Sequence, residues 1–412
     1  MKDSNIEWVG KIPRTWNVSK VKWLGSFING YAFKPSDWGD KGIPIIRIQN
    51  LTNPDKKLNY FDGEVDAKHL ITRGDYLISW SATLSVFRWE YRDAYLNQHI
   101  FKVILNEQNV EYNFFYWLAK VFMEEMSNKK HGSTMQHVTK ITFENFKVPL
   151  PSIDTQLKIS FFLDNEIFRI NRILEKTKES IEKLKKYMQS LITEVVTKGL
   201  NSDVEMKDSG IDWIGCVPES WRVTKLNQLF SIKKHIANGT GYDVLSVTQS
   251  GLRVKDITKN EGQMAADYSK YQIVDKDEFV MNHMDLLTGW IDVAQHQGVT
   301  SPDYRVFYNK QKDFAINKYY LYIFQTAYMN KIFYGLGQGV SNVGRWRLQT
   351  DKFLNFYVPL PSLDEQKEIS LYLDGKTIEI EKLIENKKNI IEELESYKNS
   401  LIYEYVTGKK EA

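Results

Sequence analysis

Cysteine is almost absent. The single Cys216 in 412 residues excludes an intrachain disulfide and a thiolate zinc cluster, and points to a reducing, cytoplasmic setting. No apolar run approaches the roughly 18 residues of a membrane span, so no membrane association is expected. The opening MKDSNIEWVG lacks a basic segment followed by an apolar one, which argues against a secretory signal. Net charge is small, +3 from 55 basic and 52 acidic residues, whereas a protein that simply coats nucleic acid carries a basic excess. The nucleotide loop GxxxxGK[ST] and the Asn-Pro-Pro-Tyr motif of amino-methyltransferases are both missing. His131 with His137, or His235 with His283, lack the carboxylate and thiol neighbours that a metal site needs, so no metal is expected. None of the ten prolines falls between Ser152 and Cys216 or after Ser362.

What is present is a duplication. FKVPLPSIDTQLKIS (Phe146 to Ser160) returns 210 residues later as FYVPLPSLDEQKEIS (Phe356 to Ser370). DSNIEWVGKIPRTWNVSKV (Asp3 to Val21) returns after 205 residues as DSGIDWIGCVPESWRVTKL (Asp208 to Leu226). A unit of half the chain indicates two duplicated domains, because solenoid periods run to only about 20–50 residues. The composition, 42% apolar and 26% charged, is that of folded globular domains.

The proline-free stretches after each PLPS phrase read as helices. Ser362 and Glu365 form a capping box, and Ser152 or Asp154 caps the first copy more simply. A short helix is expected to end near FFLD (Phe161 to Asp164) and LYLDGK (Leu371 to Lys376), with Asp164 and Asp374 capping a second, longer helix and Gly375 marking the break. From Ile167 the steps to Ile170, Leu174, Thr177, Ile181, Leu184, Met188, Leu191 and Val195 alternate three and four, a coiled-coil seam. The second copy offers a broader stripe through Ile380, Leu383, Ile384, Ile390, Ile391, Leu394, Tyr397, Leu401 and Tyr405, interrupted by Lys387. The expected helix-pair interface is therefore Ile170, Leu174, Ile181, Leu184, Met188 and Leu191 against Ile384, Ile391, Leu394 and Leu401. Pairing within one chain makes the helices antiparallel, with nets of +2 and −4 on the two segments biasing the match. A generic bundle or a homodimer seam is the alternative. The intrachain reading gives a rod of roughly 50 Å with a globular head at each end and Ala412 finishing near Met1. The expected domains are 1–152, a first spacer helix region 153–199, a second head 200–362 and a second spacer helix region 363–412.

Each head reads as mixed α and β. IPIIRIQNL (Ile43 to Leu51), GDYLISW (Gly74 to Trp80), AYLNQHIFKVIL (Ala94 to Leu105), YDVLSVTQ (Tyr242 to Gln249), DEFVMNH (Asp277 to His283) and DYRVFYN (Asp303 to Asn309) read as strands. Glu111 to Asn128 and Ile316 to Gly335 read as amphipathic helices. The heads share an order of elements and differ in their loops, as two readers of different targets would. Polar turns precede each return to VPLP, and their Gly, Ser and Thr residues open short helices whose amides suit phosphate. Their Gln, Asn, His and Arg side chains have the donor geometry used on base edges. The candidate DNA contacts in the first head are Lys34, Arg47, Gln49, Asn50, Trp80, Ser81 and Thr83, with Lys130, His131, Ser133, Thr134, Gln136 and His137 of the turn. In the second head they are Lys234, Gln249, Asn282, His283, Asp285, Gln338, Ser341, Asn342, Arg345 and Arg347. An ordinary solvated loop is the alternative for each turn, and most Trp and Tyr residues are expected in the core.

One enzymatic pattern competes. Pro54, Asp55, Asp66 and Lys68 match the loose PD…(D/E)xK arrangement in which carboxylates hold magnesium and a lysine assists water. The second head has no counterpart, so no catalytic residues are expected. The other rival is a two-headed scaffold that binds proteins.

The phrases IEWVGKIPRTW and IDWIGCVPESW, followed by VPLPSIDTQLKIS…SLITEVVTKGL and VPLPSLDEQKEIS…SLIYEYVTGKK, resemble the specificity subunit of type I restriction and modification enzymes over almost the whole chain. The resemblance implies an α+β fold: two mixed α/β target recognition domains held apart by an antiparallel pair of coiled-coil helices, pseudo-two-fold symmetric. Each domain would read half of a split site in double-stranded DNA through the major groove. The chain itself would carry no cofactor. Two methyltransferase subunits with S-adenosylmethionine and two motor and endonuclease subunits using ATP and Mg would dock on it in defence against foreign DNA.

Overall fold

The computed structural model describes residues 1–130, 138–256, 268–339 and 346–411, with the side chains of Lys129 and Lys130 outside the description. The chain is α+β and divides into two units, Met1–Thr177 with Asn389–Ala412, and Lys178–Lys388.

In the first unit a four-stranded antiparallel sheet has the order β1 (Gly25–Asn29), β4 (Ile100–Leu105), β2 (Tyr76–Ser79), β3 (Ser85–Arg88). One face covers helix α1 (Tyr112–Lys130), whose Phe114, Phe115, Leu118 and Phe122 are wholly buried with Phe101 and Phe143. A second sheet carries the strands Asn59–Phe61, Ile43–Ile46, Ala94–Leu96 and Leu70–Ile71 in that spatial order. Two segments expected as continuous strands are not. The segment 43–51 is strand only to Ile46 and then turns into the helix Ile48–Thr52. The segment 94–105 is split at His99, whose φ of 73° breaks the extended run.

The second unit repeats the first sheet with the same connections: β5 (Phe230–Lys233), β8 (Arg305–Asn309), β6 (Phe279–Met281), β7 (Ile291–Val293). Helix α3 (Asn317–Met329) packs on it through Tyr319, Tyr320, Ile323 and Phe324. The expected helix to Gly335 is interrupted at Lys331, which adopts φ 57°. The rest of this unit diverges, with strands Leu245–Thr248 and Gly251–Val254 paired to each other and Gln272–Val274 paired to Gly298–Thr300.

Two long helices belong to both units: α2 (Ile153–Lys198) and α4 (Leu363–Val406). Neither breaks where a break was expected. Asp164 and Asp374 do not cap a new helix, because their carboxylates accept from Trp117 Nε1 (2.8 Å) and Tyr322 Oη (2.6 Å). Gly375 sits inside α4 with nothing within 4 Å of a Cβ built on it, and one interior glycine, worth about 1 kcal/mol against alanine, does not stop a helix this long. The capping box is present: Glu365 N donates to Ser362 Oγ (3.3 Å) and Ser362 N to Glu365 Oε2 (3.1 Å).

Within the first unit the helical segments run antiparallel. Phe162 stacks on Tyr405 with centroids 4.4 Å apart, and Lys398 Nζ reaches Asn171 Oδ1 at 3.2 Å. Ile170, Leu174 and Leu401 are buried there, with Ile391 and Leu394 packed against them. In the second unit Ile181 and Ile384 are buried, Met188 and Leu191 pack against the core, and Leu184 is half-buried. Ala412 lies outside the described residues, but Lys409 Nζ donates to Val9 O at 2.7 Å and Tyr403 Oη to Trp8 O at 2.8 Å, so the C-terminal segment docks on the N-terminal one.

The duplicated phrases are duplicated contacts. Gln156 is fully buried; its Oε1 accepts from Glu111 N (2.7 Å) and its Nε2 donates to Asn109 O (3.1 Å) and Pro151 O (2.9 Å). Gln366 does the same with Ile316 N (2.9 Å), Phe314 O (2.8 Å) and Pro361 O (3.0 Å). Trp8 Nε1 donates to Lys147 O and Trp213 Nε1 to Tyr357 O, at 3.2 and 3.1 Å. The IxWxGxxPxxW segment is therefore the clip that fixes each VPLP strand beside the start of a long helix.

Candidate nucleic-acid interface

The frame brings strand ends and loop roots together in each unit. Register makes Tyr76 of β2 equivalent to Phe279 of β6, which places Trp80 and His283 at the same position just past the strand. Trp80 stacks on Phe101 (5.8 Å) and lies edge-on to His99 (4.9 Å). His283 is 6% exposed, and its carbonyl accepts from Leu348 N at 3.0 Å.

In the first unit Arg47 follows the strand Ile43–Ile46, and its guanidinium lies 4.7 Å from the centroid of Trp38. Gln49 is exposed. Asn50 is buried and engaged in its own turn, its Oδ1 accepting from Arg47 N (3.2 Å) and its Nδ2 donating to Lys56 O (3.2 Å). Lys34 is exposed, and its amide donates to Asp37 Oδ2 at 2.7 Å. Ser81 is buried; Thr83 is exposed, and its carbonyl accepts from the Ser79 hydroxyl. The side chain of Lys130, and His131, Ser133, Thr134, Gln136 and His137, lie outside the described residues.

In the second unit Lys234, Gln249 and Gln338 are exposed. Asn282 Oδ1 accepts from Met284 N (3.3 Å). Asp285 is occupied by a turn: Oδ1 accepts from Leu287 N and Thr288 N at 3.0 Å each, and Oδ2 from the Thr288 hydroxyl. Arg347 is half-buried between two anchored neighbours, and Ser341, Asn342 and Arg345 lie outside the described residues.

Buried polar atoms without partners mark the same places. Among the described residues they include Arg47 Nε, Trp80 Nε1, Asn97 Oδ1 and His99 Nδ1 in the first unit, and His283 Nδ1 and Arg347 Nε in the second. Such atoms are rare and each costs about 1–3 kcal/mol. Burial holds the His283 imidazole neutral, with its pKa lowered to about 3, reinforced by the nearby Arg305 and Arg347. Arg305, itself 4% exposed, donates from Nη2 to Leu348 O (3.0 Å), lies over Phe353 (4.7 Å), and is lowered to about 10 by burial. Trp38, Asn97, His99 and Arg305 lie beside these candidates and were not among those expected from the sequence. The one available signal was Arg305, a charge inside the run YRVFY at the position where the first copy has Phe101.

Two residues of the nuclease pattern, Asp66 and Lys68, are engaged with each other. Asp66 accepts from Lys68 N (3.0 Å) and pairs with Lys68 Nζ (2.8 Å); these bonds hold its carboxyl below the usual range. No group of three metal-binding side chains occurs among the described residues.

A model of the type I restriction modification DNA specificity domain matches residues 13–183 and again 218–396. The chain belongs to this family. It is 22% identical over 390 residues to the specificity subunit of the type I restriction enzyme EcoBI of Escherichia coli, covering 89% of this chain and 80% of that one. It is 24% identical over 425 residues to the MjaVIII specificity subunit of Methanocaldococcus jannaschii, covering 97% and 94%. Among solved structures, a chain from a study of complex assembly and conformational transition in a type I R-M system aligns with a TM-score of 0.70 at 14% identity, covering 97% of this chain and all of the other. The HsdS subunit of Thermoanaerobacter tengcongensis aligns over the whole of both chains with a TM-score of 0.55 at 14% identity. These likenesses establish the fold. The family accounts for a non-catalytic DNA-specificity subunit and favours neither the nuclease nor the protein-binding scaffold.

Proposed function

We propose that residues 1–152 and 200–362 are two target recognition domains, each reading one half of a split DNA site, joined by spacer regions 153–199 and 363–412. The observation that carries this reading is one frame with two faces: the sheet, the clip and the buried glutamine repeat, while the strand-end residues do not. Phosphate contacts would position each domain and base-edge contacts would select sequence. Helix length would set the number of unread base pairs between the halves. Four residues added to both α2 and α4, about 6 Å, should lengthen the spacer by one or two base pairs at about 3.4 Å each; an unchanged spacer would count against this.

Partner docking has a duplicated feature to use. Phe161 and Leu371 are 74% and 73% exposed, and Phe168 and Ile378 are 68% and 65% exposed. Phe161 and Phe168 lie seven residues apart on one face of α2, as Leu371 and Ile378 do on α4. We assign these matched apolar spots to two copies of one methyltransferase subunit, which would bring S-adenosylmethionine, with two motor and endonuclease subunits supplying ATP and Mg chemistry in the cytoplasm. Phe161→Asp with Phe168→Asp should release one methyltransferase copy and leave the other. Mapping methylated adenine in cells with and without the gene tests the whole reading: a split site should appear only with it. A chain built from two first units should then methylate an interrupted palindrome.

A further inference from the structure

We propose that Arg347 is the specificity-determining residue of the second unit and reads a guanine, with Arg305 and His283 as the positioning residues that fix it. This rests on the DNA-reading function above and names the base that one domain selects.

Arg347 is pinned on both sides. Trp346 stacks on Tyr334 (5.2 Å) and its Nε1 donates to Tyr334 O (2.6 Å), while Leu286 N donates to Trp346 O (3.2 Å). A Cβ on Gly337 would come within 2.4 Å of Trp346 Cδ1, so only glycine lets the ring seat there. On the other side Leu348 is fully buried, its amide bound by His283 O and its carbonyl by Arg305 Nη2. The chain is thus held at three points on the two residues flanking Arg347, yet its guanidinium makes no hydrogen bond or ion pair with any described residue, and its Nε is covered without a partner.

The surroundings select the ligand. Arg305 is close enough to feel the Arg347 charge, and among the described residues neither guanidinium forms an ion pair with a carboxylate: Arg305 bonds a carbonyl, the Thr350 hydroxyl and the Met281 sulfur. His283, buried and neutral, adds no charge. A guanidinium is a planar fork of donors with no acceptor, so its complement is a pair of adjacent acceptors, which on a base edge in the major groove means guanine O6 and N7. A phosphate would accept any cation, and that difference makes the assignment testable.

The experiment maps adenine methylation by the complete complex in cells carrying the wild-type chain, Arg347→Lys, Arg347→Ala or Arg305→Met. Wild type should show a G·C pair in the half-site governed by the second unit. Arg347→Lys should relax that position alone by about 5- to 150-fold, the worth of a bidentate contact, with the first half-site unchanged. Arg305→Met should relax the same position while the complex still methylates, which a general folding loss would not do. A uniform fall in methylation with every base requirement intact would identify a phosphate contact and overturn the proposal. So would an unchanged pattern, in which case the split-site reading stands. If the wild type yields no split site, the reading and the proposal both fail.

Discussion

Gln366→Met replaces a wholly buried amide by an apolar side chain of similar length. Three groups lose their partner: the Ile316 amide, which opens α3, and the carbonyls of Phe314 and Pro361. A buried group left unsatisfied costs about 1–3 kcal/mol, with carbonyls at the low end, so the expected loss is about 3–6 kcal/mol. Domain stabilities are about 5–15 kcal/mol, so the second unit should survive but open readily. Hydrogen exchange is the suitable assay, because denaturation of two units need not be two-state. Protection of the Ile316 amide and of α3 should fall by at least a hundredfold, while Glu111 and α1, held by Gln156, keep theirs. Gln156→Met should produce the mirror result. A loss below 1 kcal/mol, or equal loss in both units, would refute the view that this glutamine is why the phrase VPLPSxDxQ occurs twice.

Gly375→Ala should stabilise α4 by about 1 kcal/mol, read as a higher denaturation midpoint, since the added methyl meets nothing within 4 Å. Asp66→Ala should leave the methylation pattern unchanged, because among the described residues that carboxylate forms its ion pair with Lys68. The second unit should lose stability as pH falls from about 6.5 toward 3, at up to about 1.4 kcal/mol per pH unit. The unfolded chain takes up a proton on His283 in that window and the folded one does not. The pH dependence of His283→Gln unfolding should lack this component.

Much of the fold was legible because the duplication exposes it. Two copies that share VPLPS and IxWxGxxPxxW while their loops drift show which residues are frame, and the three-and-four spacing along α2 carries Ile170, Leu174 and Ile181, which are buried. The missed breaks have a common cause. Asp164 and Asp374 look like caps, and only the tertiary partners Trp117 and Tyr322 explain a carboxylate in mid-helix. His99 and Lys331 took left-handed conformations that nothing local announced. The candidate site residues were legible by type and not by what engages them. Arg47 and Arg347 each keep a buried Nε without a partner, whereas Asn50 and Asp285 are engaged in turns. The sequence cannot distinguish a side chain that is occupied from one that waits.

The two sheets also hold one charge in two ways. In the first unit Lys102 of β4, between Leu77 and Ile28, pairs with Asp75 at 3.1 Å. In the second unit the position equivalent to Lys102 is Val306, the position equivalent to Ile28 is Lys233, and Lys233 reaches Glu278, equivalent to Asp75, at 2.8 Å. The lysine has changed strands within a cross-strand pair while the acid stayed. Burial opposes the Lys233 charge, but hydrogen bonds to Asp275 and Glu278 outweigh it and raise the pKa. Lys233→Ile alone therefore strands a largely buried Glu278 and should cost about 3 kcal/mol. Adding Val306→Lys rebuilds the arrangement of the first unit and should recover most of that loss. Urea denaturation of the single and double variants measures the coupling. If Val306→Lys deepens the loss, the two sheets are not interchangeable at this pair, and the duplication extends to the backbone but not to the charge.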